Sequence, residues 1–525
     1  MWWDDKQLRA IQQECDNTYE SRNSKRLLEL SEVCYELGHR EHIEEMLKAN
    51  YLYCAATSFL GLIEIEKEDM EASVIEQYYE KSLYLFRTAK GYCKSEYERI
   101  FSSSDNYCIA KENVDQLYYR IVVNYGNLLS QCGRFVKSIE NLSELSNGDF
   151  PMITGILALK ISDYSYYDYN HREIMLYQAY QMLQGVLDDQ VQFPEKEYSQ
   201  RQFKEYSEWI TKVLGRDFLS HQYSLADFLH SHDEMADVEA KYRSWFSKNG
   251  LALNQLNDIF FELEVAYDSL HLPSIVESID SPLVPRYHGL FNQIKQEYVS
   301  ARFWIYEGLT YRTTHYSDKE VYLVNTFDYP IYGIGIEKIK AAYREIYSIF
   351  DKIAYFLNKY LNLQIPDHLI SFHNLWYEKS RGKKTRRKGV LLLQNCNYNL
   401  NGLWWIYKDL KNISVYENKY IDPVLEKISK VRNAMEHRYL KVLDYYDSEI
   451  SSSESIVDDF AYKISFDNFE KLTIELLRLT REAIIQLAMI IQIEEDKKEK
   501  DRKKSGKMVG PIPLSKFDDE WKQIW

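Results

Sequence analysis

The chain has 525 residues, room for two or more cores at about 150 residues per domain. Its 45% hydrophobic content is enough for globular packing, and the net charge of −15 argues against indiscriminate nucleic-acid binding while leaving room for a local basic site. No uncharged apolar run of about 18 residues occurs, so no membrane span is expected.

Only 19 Gly and 10 Pro are spread over this length, and so few breakers predict long helices with short connections. The expected fold is all-α. The seven cysteines (Cys15, Cys34, Cys54, Cys93, Cys108, Cys132 and Cys396) form no CxxC pair. They read as free thiols of a reducing cytosol rather than a disulfide frame or zinc site. Met1-Trp2-Trp3-Asp4-Asp5 lacks the basic and apolar regions of a signal peptide. A cytoplasmic location is expected, with no cofactor or metal.

In chain order, residues 5–48 read as two helices split near Gly38. Helical spacing then recurs from Ile43 to Leu62 and over Glu71–Lys90. The clearest unit is 118–145, YYRIVVNYGNLLSQCGRFVKSIENLSEL. Gly126 permits close helix contact, Gly133-Arg134-Phe135 makes the turn, and Ser138 sits where a small residue is needed. The unit resembles a tetratricopeptide (TPR) repeat, two antiparallel helices that must stack on neighbours to bury their faces. Ile153–Tyr167 and Arg172–Leu187 continue the pattern, and further helices are expected over 196–215, 217–230, 234–248 and 252–279. Residues 1–280 therefore read as a TPR-like array, the alternative being a plain helical bundle. An array would offer a concave surface to a protein segment, with some of the 45 tyrosines supplying contact area. For any single tyrosine, half-buried packing is the commoner role.

Pro282, Pro285 and Gly289 mark the best linker in the chain. Helix resumes by Phe291 and runs to about Gly308, and 311–335 reads as a short strand or extended loop. Ile336–Leu361 is a long helix with apolar residues at 339, 342, 346, 350, 353 and 357. The run 378–389 concentrates seven cations, Lys379, Arg381, Lys383, Lys384, Arg386, Arg387 and Lys388. It reads either as a mobile arm contacting RNA phosphates, chiefly through Lys383, Lys384, Arg386, Arg387 and Lys388, or as a solvated loop. A short helix over Gly402–Asn412 follows, then the motif helix, a Ser/Asp/Glu-rich loop at 447–459, and a closing helix over Phe466–Glu495. The stretch 497–507 reads as polar and frayed, and WKQIW at the end is apolar enough to dock.

The motif helix is DPVLEKISKVRNAMEHRYLKVL, Asp422 to Leu443. Asp422 suits an N-cap and Pro423 the first turn. Ile428, Val431, Met435 and Val442 fall on one apolar stripe at about 100° per residue. Arg432, Asn433, Glu436 and His437 share an adjoining arc of roughly 140°, in which Leu440 also falls. A polar face holding a Leu suggests a surface that meets a partner.

The spacing Arg432-Asn433-x3-His437 resembles the signature of the HEPN superfamily, small helical domains many of which are metal-independent ribonucleases. The stretches 296–308, 350–361 and 431–442 are also similar to a bacterial HEPN subfamily that carries TPR-like repeats ahead of the HEPN domain. The resemblance covers about residues 284–525 and implies a HEPN domain there. It also implies homodimers or higher oligomers in which two motif helices face each other. A toxin-like role in antiphage defence is implied too, with a protein or phage-derived trigger on the array and no membrane partner.

RNA carries its own nucleophile, the 2′-OH, so cleavage needs only proton transfer and stabilisation of charge on phosphate. An imidazole exchanges protons near neutrality and a guanidinium offers a planar fork to phosphate oxygens. His437 and Arg432 are the candidates for these roles. Asn433 is placed to hold His437 in one tautomer or to bond the RNA, and Glu436 to orient Arg432. One His does not readily serve as both base and acid; two facing copies would. The expected products are a 2′,3′-cyclic phosphate and a 5′-hydroxyl. Against this, a lone helix His is more often a surface residue and Arg432–Glu436 can be an ordinary ion pair. The competing function is a non-catalytic HEPN module for dimerisation or nucleotide binding on a protein-binding scaffold. No Walker A, HExxH or GxSxG sequence occurs. His288, His368, His373, His230 and His232 have no partners at ligand spacing and receive no role.

Overall fold

A computed structural model describes residues 5–522 except 103–106, 147–149, 166–168, 194–195, 230–234, 278–283, 381–382, 395, 412–421, 445–457, 507, 509 and 511. Among the described residues it is 72% helical, with 19 helices and almost no sheet, as the scarcity of Gly and Pro predicts. The first half holds α1 (Lys6–Glu20), α2 (Ser24–Gly38), α3 (Glu45–Glu66), α4 (Ala72–Ser102), α5 (Tyr107–Gln131) and α6 (Phe135–Ser143). It continues with α7 (Pro151–Tyr164), α8 (Tyr169–Leu187), α9 (Lys196–Leu214), the single turns α10 (Arg216–Leu219) and α11 (Leu225–Phe228), and α12 (Asp237–Lys248). Consecutive helices pack on one another from α1 to α9. The first break falls at residues 21–23, where Asn23 caps α2, and Gly38 ends α2 rather than dividing a pair.

The 118–145 unit has the expected local geometry. Gly133 turns the chain with a φ of +79°, a conformation that favours glycine. The Ser138 hydroxyl donates to the Gly126 carbonyl at 2.7 Å, and a Cβ on Gly126 would stand 2.8 Å from Leu142. A larger residue there would force Leu142 to shift.

Residues 252–279 correct the expected helix. The described residues there, 252–277, form an irregular segment with two short 3-10 turns, buried over Leu251–Asn257. Buried loop backbone needs partners, and two arginines from the second half supply them. Arg481 donates to the carbonyls of Ala252 and Asn254, both at 2.5 Å, and pairs with Asp258. Arg302 donates to the Leu251 carbonyl at 2.8 Å and pairs with Asp268 at 2.7 Å.

The second half comprises α13 (Arg286–Thr310), α14 (Ile334–Tyr360), α15 (Phe372–Trp376), α16 (Lys388–Gln394), α17 (Tyr398–Lys411), α18 (Pro423–His437) and α19 (Phe466–Ser505). The α14 positions 339, 342, 346, 350, 353 and 357 are all buried. Helix α19 runs ten residues past its expected end, because residues 494–503 are stitched by ion pairs such as Lys497–Glu494 and Arg502–Glu499. Of the WKQIW tail, Trp521 is exposed rather than docked, and 523–525 lie outside the described residues. So do most of the 447–459 loop and part of the Pro282 linker. The six described cysteines are free thiols; Cys108 is outside the described side chains.

One contiguous apolar core runs from Leu8 to Ile491 through both halves. Paired buried charges line the seam. Arg134 donates to both carboxylate oxygens of Glu482 (2.7 and 2.9 Å) and to Asp409 at 3.2 Å. Lys408 pairs with Glu80 at 2.7 Å and Glu76 at 3.0 Å. At the same place the chains touch backbone to backbone: a Cβ on Gly133 would run into the Tyr398 carbonyl, and one on Gly402 into the Gly133 carbonyl. Among the described residues, no helix is long and apolar enough to cross a membrane.

Candidate functional site

The motif helix starts as its caps require. The Asp422 carboxylate accepts the Val424 N–H at 2.9 Å, with Pro423 in the first turn. Leu425, Ile428, Val431 and Ala434 are buried, and each large apolar side chain contributes about 1.5–3 kcal/mol by leaving water. Tyr343 of α14 donates to the Ile428 carbonyl at 2.9 Å and fixes the depth of the helix.

The helix ends at His437, six residues before the expected end. Tyr439–Leu443 is a strand, β3, paired in parallel with β4 (Ala461–Ser465). On its other side it meets the 311–335 loop: Ile331 N–H donates to the Val442 carbonyl at 2.8 Å, and Pro330 bridges Leu443. Leu440 is thereby buried in this small sheet, which corrects its placement on a partner-facing helix surface. The buried Lys441 holds the three segments together, with its ammonium 2.7 Å from both Asp328 and Asp458. Burial works against that charge, but the two carboxylates more than offset it and hold the lysine pKa above its ordinary value.

Arg432, Asn433, Glu436 and His437 all reach solvent. Arg432 donates to Asn433 Oδ1 at 3.2 Å, and its guanidinium lies 5.4 Å from the Tyr347 ring centre, a cation–π distance. Asn433 thus orients Arg432, where His437 was the expected neighbour. Glu436 pairs not with Arg432 but with Arg344 of α14, at 3.4 Å. Arg344 also donates to the Met435 carbonyl at 3.2 Å, a favourable place for a cation at a helix C-terminus. With Arg438 exposed beside His437, the end of α18 gathers three guanidiniums and one imidazole. Sequence spacing missed Arg344, whose only hint was its position three residues before Tyr347 on the predicted α14.

Part of the basic run forms secondary structure, and residues 381–382 lie outside the described residues. Strands β1 (Tyr377–Ser380) and β2 (Lys383–Arg386) form an antiparallel hairpin. Arg386 lies 3.4 Å over the Trp404 ring centre and pairs with Glu76 at 2.9 Å. Arg387 pairs with Glu378 at 3.2 Å and donates to the Asn374 and Tyr377 carbonyls. Both make contacts inside the fold. Lys388 is exposed at the start of α16, and the Lys383 and Lys384 side chains lie outside the described residues.

The helical second half thus brings Arg432 and His437 to the surface near the end of one helix. Residues 279–494 match the family model described as LA2681-like HEPN, so this stretch of the second half is similar to HEPN domains. No curated protein and no solved structure matches the chain.

Proposed function

We propose that the protein is a metal-independent endoribonuclease whose HEPN domain, residues 284–525, cleaves RNA by attack of the 2′-OH. Its first half, residues 1–280, acts as a TPR-like sensor array. The observation that carries this reading is the solvent-facing group at the end of α18: His437 to move the proton, and Arg432 with Arg344 alongside to meet the phosphate. One imidazole per chain leaves either base or acid unfilled, so the active form is a dimer with two α18 ends facing one cleft. HEPN domains are often ribonucleases, and that tendency favours the same reading.

Control by the array has a physical route. Arg87 of α4 pairs with Asp409 at 3.1 Å and lies 3.6 Å from Asp422, the N-cap of the motif helix. A partner that shifts α4 would act directly on that cap. The setting in antiphage defence, with a protein or phage-derived trigger, rests on the family resemblance alone.

The test is incubation of the full chain with mixed RNA in EDTA, beside Arg432→Ala and His437→Ala. Chelator-resistant cleavage that leaves cyclic-phosphate ends and is lost in both variants upholds the reading. Wild type and variants behaving alike would leave the HEPN domain as a non-catalytic dimerisation or nucleotide-binding module.

A further inference from the structure

Next to His437 the surface turns aromatic. Tyr439, two residues on and so within about 7 Å by chain length, is 40% exposed, and Tyr332 beside it is 48% exposed. Burial and the neighbouring Tyr439 push the Tyr332 hydroxyl pKa up. Phe460 precedes Ala461, the register partner of Tyr439, and is 84% exposed. Phe327 and Tyr329 complete the group at 76% and 77% exposure.

The backbone beneath these last two is strained. Their φ values are +62° and +52°, a region that bulky side chains rarely adopt. Asp328 between them is pinned by its ion pair with the buried Lys441. That clamp holds two large rings in solvent where ordinary folding would bury them. Such backbone strain beside a candidate site points to a functional role worth testing.

We propose that Tyr332, Tyr439 and Phe460, with Phe327 and Tyr329 beyond them, form a stacking platform for the unpaired bases of single-stranded RNA leaving the His437 cleft. The inference rests on the ribonuclease reading and names the form of its substrate. Guanidiniums of Arg432 and Arg344 lie on the helix side of His437, Arg438 follows it, and flat rings lie on the sheet side. A strand with a charged backbone and exposed bases matches both at once, whereas a duplex hides its base faces. In a chain of net charge −15, stacking supplies attraction that the overall field does not.

The experiment uses the full chain and a short fluorescent 2′-O-methyl oligoribonucleotide, which binds but lacks the nucleophile. Tyr332→Ala and Tyr439→Ala should each weaken binding roughly tenfold, and Tyr→Phe at either site should not. Phe327→Ala, at a residue too exposed to threaten folding, should weaken it as well. The same sequence as a duplex should bind less tightly and ignore these changes. Alanine variants that bind like wild type, or equal affinity for strand and duplex, overturn the proposal. So does a fall in solution mass with unchanged affinity per chain, which would make the rings a contact between copies. Ring-dependent binding without cleavage of unmodified RNA upholds the platform and removes the ribonuclease reading. Cleavage indifferent to the rings does the reverse.

Discussion

Replacing Arg134 by alanine tests whether the two halves are held by paired buried charge. The guanidinium is buried and makes three bonds across the seam, two to Glu482 and one to Asp409. Burial opposes its charge, yet the two carboxylates hold its pKa above the ordinary arginine value, so it stays cationic. Arg134→Ala leaves Glu482 buried with only the Gln486 amide, at 3.3 Å, still bonded to it. Removing one member of a buried pair costs about 3–5 kcal/mol. At about 2–4 °C per kcal/mol for a unit of 150–250 residues, the first thermal transition should fall by roughly 6–20 °C. That transition is the observable because a long chain need not unfold in one step. Arg134→Met combined with Glu482→Met should regain most of the loss, since no carboxylate is then stranded, while Asp409 keeps Arg87. A fall of less than about 2 °C in the single variant would refute the seam argument.

Glu436→Gln should free Arg344 from its ion pair and tighten binding of uncleavable RNA; Arg344→Ala should weaken it and lower the salt slope by about 0.7, read from titrations at several salt concentrations. Gly133→Ala should cost about 2 kcal/mol or more in urea unfolding, because φ is +79° and the new methyl meets the Tyr398 carbonyl. Gly91→Ala, with open space around it in α4, should instead gain up to about 1 kcal/mol. Asp268 carries the clearest acid sensitivity. Burial raises its pKa, but Arg302 and the Leu253 N–H outweigh that and hold it below the usual value. A depressed folded pKa means its contribution is complete above about 3.9, the unfolded value, and is lost as pH falls through the lower folded one. Urea midpoints between pH 6 and pH 3 should therefore drop more steeply for wild type than for Asp268→Asn.

What was legible in the sequence is what short-range chemistry sets. Helical period located the buried face of α14 and the start of α18, where Asp422 and Pro423 act within one turn. The Gly126, Gly133 and Ser138 pattern encoded a helix pair whose contacts span fewer than 30 residues, such as Asn141 to the Val122 carbonyl and Tyr118 to Glu144. The spacing from Arg432 to His437 placed both on one exposed arc.

Tertiary structure decided the rest, wherever a distant partner outbid local preference. RYLKVL reads as helix until β4 and the 330–331 segment offer it backbone partners and two carboxylates for Lys441. Arg386 and Arg387 look like a free basic arm until Trp404, Glu76 and Glu378 claim them. Glu436 answers to Arg344, 92 residues earlier, rather than to Arg432 in the preceding turn. Periodicity and capping act over a few residues and are written in the chain. The pairing of a buried charge or an open strand edge depends on what folding brings alongside, which no local pattern records.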